Sequence, residues 1–211
     1  MLAQVSSGIG MTLLITGASL LIGALLGIPL VTARRSPWSP LRIAATLYID
    51  VVRAIPPITW IFLIYFGLPQ YALRLDSTSA SIIGFSVIAS AYMAETYRSG
   101  LLSIPKGQWE AATALGMKFL PKTRYVITPQ AFKVTLPAIA AYAIALLKDS
   151  ALASTIGGHE ITYQAGLVSR ATHQGLLAFS IAGLLYIAMS VPLAIAARRI
   201  DRTLRQKLEV A

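Results

Sequence analysis

Two adjacent ionisable residues, Lys148 and Asp149, interrupt an apolar run in "ALLKDSALASTIG". A charge at membrane depth costs at least ~2.5 kcal/mol on insertion scales, so such a residue faces a wet cavity or a partner group by default. Neighbours on a helix lie about 100° apart, and the two side chains therefore cannot point at one place. The other reading sets the pair at an interface, with Lys148 snorkelling to water. Ser154 and Thr155, just before Gly157 and Gly158, offer hydroxyls beside a helix end, and Glu160 lies beyond them. Tyr92 and Trp60 are aromatics inside other apolar runs, where packing is their commoner role. Such groups compensate charge; they do not make or break bonds. With only His159 and His173, no cysteine and no G-x-x-x-x-G-K-[ST] loop, neither a catalytic constellation, a metal site nor a nucleotide site is expected.

The elements that position these groups follow from hydropathy. Of 211 residues, 56% are hydrophobic and 12% charged, too apolar for an ordinary soluble domain of this size. Spanning a core of about 30 Å takes about 20 apolar helical residues. Five runs qualify, at about 7–32, 54–73, 77–98, 131–152 and 171–197, within one domain over 1–211. The first has no basic residue before it and reads as a span rather than a signal peptide. The fourth is unusual, because only 14 residues between Lys133 and Lys148 are free of charge; either the helix stops short, or Lys148 and Asp149 enter the membrane. Of the 18 basic residues, 15 fall on one side of this arrangement and three (Arg74, Lys148, Arg170) on the other. By the positive-inside rule the N-terminus is outside and the C-terminus cytoplasmic. The net charge of +10 is therefore a loop bias and not a nucleic-acid patch.

On the cytoplasmic side lies "GQWEAATALGMKF", part of a segment of about 104–120 with Pro105 at its start, Trp109, Ala112, Leu115 and Phe119 at helical spacing, and Pro121 at its end. An interfacial helix would show the same periodicity. The residues are more specific. "EAATALG", nine residues and "VITP" resemble the EAA loop of ATP-binding-cassette importer permeases, with Glu110, Ala111, Ala112, Gly116, Val126 and Pro129 in register and Thr128 in place of leucine. "AYMAETYRSGLLSIPKGQWEAATALG", "VITPQAFKVTLPAIAAYAIALLKDSALASTIG" and "IFLIYFGLP" are similar to the polar amino acid permeases of that group.

The resemblance implies an all-α integral membrane fold of five transmembrane helices with a cytoplasmic coupling helix, in the bacterial inner membrane. It implies coupling through Gly107, Trp109, Glu110, Ala111, Ala112, Leu115 and Gly116, which would dock on a separate ATPase subunit that binds ATP and magnesium. It further implies a second permease, identical or homologous, an extracytoplasmic solute-binding protein, and an amino acid or related small zwitterion crossing past Lys148, Asp149, Ser154, Glu160, Tyr92 and Trp60. Trp60 stands where the family commonly has glutamine, and Ile88 and Ala89 where it has asparagine and threonine, so the path is less polar. A passive channel or membrane scaffold with an interfacial helix is the rival that composition alone permits.

Overall fold

A computed structural model describes residues 1–71 and 73–209, with side chains beyond Arg199 described only at Arg202. Ala72, inside the second expected span, lies outside the described residues, as do the side chains of Arg205 and Lys207 from the charge balance. In chain order the α-helices are α1 (Leu2–Ser6), α2 (Ile9–Arg34), α3 (Ser39–Ala54), α4 (Pro57–Phe62), α5 (Ser77–Leu102), α6 (Lys106–Ala114), α7 (Phe119–Pro121), α8 (Thr128–Asp149), α9 (Ile161–Thr172) and α10 (Gly175–Glu209). Looser and tighter helical turns extend several of them, so that Phe119–Ile156 is one 38-residue helical stretch. Among the described residues, four stretches are long and apolar enough to cross a membrane: Leu2–Arg34, Ser77–Leu102, Phe119–Ile156 and Gly175–Arg199. A bent pair, Ser39–Ala54 with Pro57–Tyr71, raises the number to five.

The centre of the bundle is the contact of α2 with α5, which run parallel. On α2 the buried positions are Thr12, Ile15, Thr16, Ser19, Gly23, Gly27 and Val31, a stripe of mostly small residues. Small residues let helix backbones approach where lipid supplies no hydrophobic drive for association. The approach is close enough that a Cβ at Gly23 would overlap Ala89, and one at Gly27 would meet Met93 at 2.8 Å. Polar groups cross the same seam: Ser19 donates to the Ile82 carbonyl at 3.2 Å, and Tyr97 to the Ala24 carbonyl at 3.2 Å. The apolar window of α5 is 61% buried and that of α10 only 11%, which makes α5 the axis and α10 the periphery.

The second expected span, 54–73, is corrected by the structure. Pro56 and Pro57 are consecutive, and a residue before proline is pushed out of the helical region. Ile55 (φ −90°, ψ 132°) and Pro56 (ψ 142°) are extended, and the chain turns by 105° between α3 and α4. Pro56 also has no N–H for the carbonyl of Val52, four residues back. The indole of Trp60 supplies the missing donor, Nε1 to the Val52 oxygen at 3.1 Å.

The fourth helix does not stop short. The Gly157 carbonyl accepts from Ser77 at the start of α5 (3.2 Å), and seven residues of tight helix, Ser150–Ile156, separate that level from Asp149. At about 2 Å per residue this sets Lys148 and Asp149 about 14 Å inside the bundle end.

Gly23→Leu is expected to weaken the bundle by about 1–3 kcal/mol through overpacking. Gly17→Ala, where an added Cβ meets nothing within 4 Å, should be neutral. Thermal unfolding of the detergent-solubilised protein, followed by size-exclusion recovery, compares the two.

Candidate functional site

The segment of about 104–120, expected to run as one helix to Pro121, folds instead into the shorter α6, Lys106–Ala114, with its first turn led by Pro105 and its end set by Gly116, while Phe119–Pro121 begins the next helix. At φ 75° Gly116 occupies the left-handed region, which a side chain makes costly. Its N–H donates to the Thr113 carbonyl (2.9 Å) and the Met117 N–H to Ala112 (3.1 Å). This pair of bonds is the glycine-terminated helix stop. The glycine of the motif is thus required by the turn.

The two faces of α6 have different duties. Ala112 is buried and Trp109 half-buried against Ile104, Ile127 and Ala131, and Arg35 lies 6.0 Å over the Trp109 ring. Gln130 donates to Gln108 (3.1 Å) and Lys122 to the Thr113 hydroxyl (2.9 Å), tying α6 to the beginning of the Phe119–Ile156 helix. Gly107, Glu110, Ala111 and Leu115 face outward, Leu115 at 82% exposure, with Phe119 and Leu120 also exposed nearby. Trp109 and Leu115, grouped on one face by spacing, are therefore split: the tryptophan anchors the helix and the leucine projects from it.

The residues expected along a path do not gather in one place. Lys148 is exposed and Asp149 half-buried, and neither makes an ion pair or hydrogen bond among the described residues. Ser154 Oγ donates to the Ala151 carbonyl of its own helix at 2.7 Å. Tyr92 stacks on Tyr142, with ring centroids 5.0 Å apart, and lines a cavity of about 390 Å³ with Arg53, Glu95, Thr96, Ser99 and Thr135. Trp60 is not open to that cavity; its indole closes the α3–α4 bend.

Glu160 also departs from the expected role. Its carboxylate is fully buried and caps α9, accepting from the backbone of Thr162 (2.8 Å) and Tyr163 (2.7 Å) and from the Tyr186 hydroxyl (2.5 Å). Burial pushes it above the usual carboxylate range, although those donors oppose the shift.

At the other end, Glu95 takes Arg98 on its own helix (2.5 Å) and Arg34 from α2 (2.7 Å), and Arg34 reaches Asp50 at 3.7 Å. Asp50 and Arg53 stand three residues apart on α3, yet Asp50 turns to Arg34 while Arg53 lies over Tyr92 at 5.3 Å. Sequence reasoning missed Arg34 and Tyr142 because both act across helices, where local spacing carries no signal.

The family described as binding-protein-dependent transport system inner membrane component matches residues 9–206. The chain belongs to that family. It is a membrane permease subunit of an ATP-binding-cassette importer. The permease is 36% identical over 185 residues to the probable amino-acid ABC transporter permease protein YckA of Bacillus subtilis (strain 168), covering 88% of this chain and 82% of that one. With the arginine transport system permease protein ArtQ of the same strain it shares 35% over 199 residues, covering 94% and 91%. A crystal structure of an amino acid ABC transporter with histidines superposes at a TM-score of 0.91 with 33% identity, covering 95% of this chain and 94% of that one. An inward-facing MetNI methionine ABC transporter shares the fold at a TM-score of 0.81 and 22% identity.

Trp60→Phe leaves the buried Val52 carbonyl of the permease without its donor and should cost about 1–3 kcal/mol in unfolding experiments. A raised Glu160 means that the folded state holds its proton more tightly than the unfolded one. The associated stability is present below the ordinary carboxylate value and is lost as pH rises through the raised value. Thermal stability of the wild type should therefore decline upward from about pH 4.3. Glu160→Gln should make that slope shallower, as a melting series across pH would show.

Proposed function

We propose that the permease imports an amino acid or related small zwitterion, together with a second permease subunit, two ATPase subunits and an extracytoplasmic binding protein. The observation that carries the two-permease part is the position of Lys148 and Asp149, about 14 Å inside the bundle end, the lysine exposed and the aspartate half-buried, with no ion pair or hydrogen bond among the described residues. Facing lipid there would cost both side chains their solvation. A second permease across that face, with a wet path between the two, removes the conflict, and Lys148, Asp149, Tyr92 and Ser154 would line or approach that path. The names of the relatives, amino-acid and arginine permeases, support the substrate class.

For energy transfer, the outward face of α6 is suited to a cleft on the ATPase. Gly107 and Ala111 allow close backbone approach, Glu110 offers a charge to a basic partner, and Leu115 offers apolar area. The inward face, through Trp109, Ala112 and the Gln108–Gln130 and Thr113–Lys122 bonds, makes α6 move with the base of the long helix Phe119–Ile156. A pull on α6 is thereby a pull on a span, as alternating access requires. Coupling needs a ligand with unequal affinity for two states, and ATP on the partner would supply it. In this arrangement the end with Arg34, Arg98 and α6 is cytoplasmic and the N-terminus is outside, in keeping with the basic-residue bias.

ATP hydrolysis by the reconstituted complex tests the coupling role. Glu110→Lys and Gly116→Trp are expected to abolish substrate-stimulated hydrolysis while leaving the spans assembled. Fully coupled hydrolysis in both variants would mean that α6 is only an interfacial helix, as in a passive channel or scaffold.

A further inference from the structure

Three arginines and two carboxylates meet where α2, α3 and α5 converge. Glu95 is taken by Arg98 (2.5 Å) and Arg34 (2.7 Å), and Asp50 by Arg34 (3.7 Å). Both acids are engaged; Arg53 acts on Glu95 only through its field and has no carboxylate within 4 Å among the described residues. Its guanidinium lies over the Tyr92 ring at 5.3 Å, and Tyr142 backs that ring. A cation over a ring face is not thereby hydrogen-bonded to a carboxylate or carbonyl, so the contact with Tyr92 provides Arg53 with no oxygen acceptor. Arg53 has no hydrogen bond to another described group either.

Arg53 and Tyr92 form one wall of the cavity of about 390 Å³, a size within the range of about 300–1,000 Å³ typical of small-molecule sites. The Thr96 and Thr135 hydroxyls in the same cavity donate back to the carbonyls of Tyr92 and Phe132. Each hydroxyl oxygen keeps acceptor capacity after that bond, and the Glu95 carboxylate lines the same cavity. Guanidinium donors and acceptor oxygens around one cavity are complementary to a carboxylate and an ammonium carried by one small molecule.

We propose that Arg53, seated on Tyr92, is the carboxylate receptor of the permease path, holding the α-carboxylate of the passing substrate. This rests on the amino-acid reading above. The alternative is that Arg53 merely fastens α3 to α5 through the tyrosine.

The test is equilibrium binding of radiolabelled L-glutamine, L-arginine and L-cystine to the permease–ATPase complex in lipid nanodiscs, with the α-amide of whichever binds as competitor. The wild type is expected to prefer the acid over its α-amide by about tenfold or more, the scale of a charge-assisted hydrogen bond. Arg53→Gln should abolish that preference, and Arg53→Lys should retain part of it. The preference is a ratio within one preparation, so a fraction of inactive protein does not change it. Wild-type preference in Arg53→Gln, or none in the wild type, overturns the receptor and leaves the importer reading standing. Failure of all three amino acids to bind the wild type overturns the amino-acid reading and the receptor with it.

Discussion

The close parallel contact of α2 and α5 is the constraint on which the rest of the bundle depends. Gly23 and Gly27 bring the two backbones to a separation that no side chain at those positions would permit. With α5 thus fixed at the axis, α3 packs its Ile49 and Val52 against Ala91 and Ala94. On the opposite side, the long α8 stretch brings Tyr142 onto Tyr92. The same seam aligns the basic end of α2 with Glu95, so a packing decision made by glycines also determines which charges neutralise one another.

Charge in this molecule divides into groups with partners and groups without. Glu160 is buried but caps a helix and receives a tyrosine hydroxyl; Asp76, exposed at the head of α5, accepts from Thr78 and Ser79 and is held below the usual carboxylate range by the Ser79 hydroxyl. These are architectural acids. Lys148, Asp149 and Arg53 are among the charged groups with no ion pair or hydrogen bond among the described residues; Lys148 and Arg53 are exposed and Asp149 is half-buried. In a low-dielectric medium an open charge is costly, which is the physical ground for the path proposed above.

The short helix α6 shows how one amphipathic pattern can serve two masters. Its inward residues are bound to the base of a long span by packing and by two side-chain hydrogen bonds, and its outward residues are small, acidic or apolar and unoccupied. That attachment fixes α6 to the long helix more firmly than burial in a headgroup layer would, which is what the proposed coupling requires.

By itself the sequence determined the all-α membrane class and the register of the EAA pattern from Glu110 to Pro129. These are local properties: hydropathy over twenty residues and motif spacing. That the helix of the motif ends at Ala114 with Gly116 left-handed, and not at Pro121, was decided by the fold. Only the tertiary structure decided that Pro56 and Pro57 bend the second segment and that Trp60 repairs the bend. It also separated Trp109 from Leu115, sent Asp50 to Arg34 instead of Arg53, and withdrew Glu160 from any open surface. Each of those outcomes turns on which residues distant in sequence become neighbours. That is fixed by how closely helix backbones approach, and the spacing within any one helix carries no record of it.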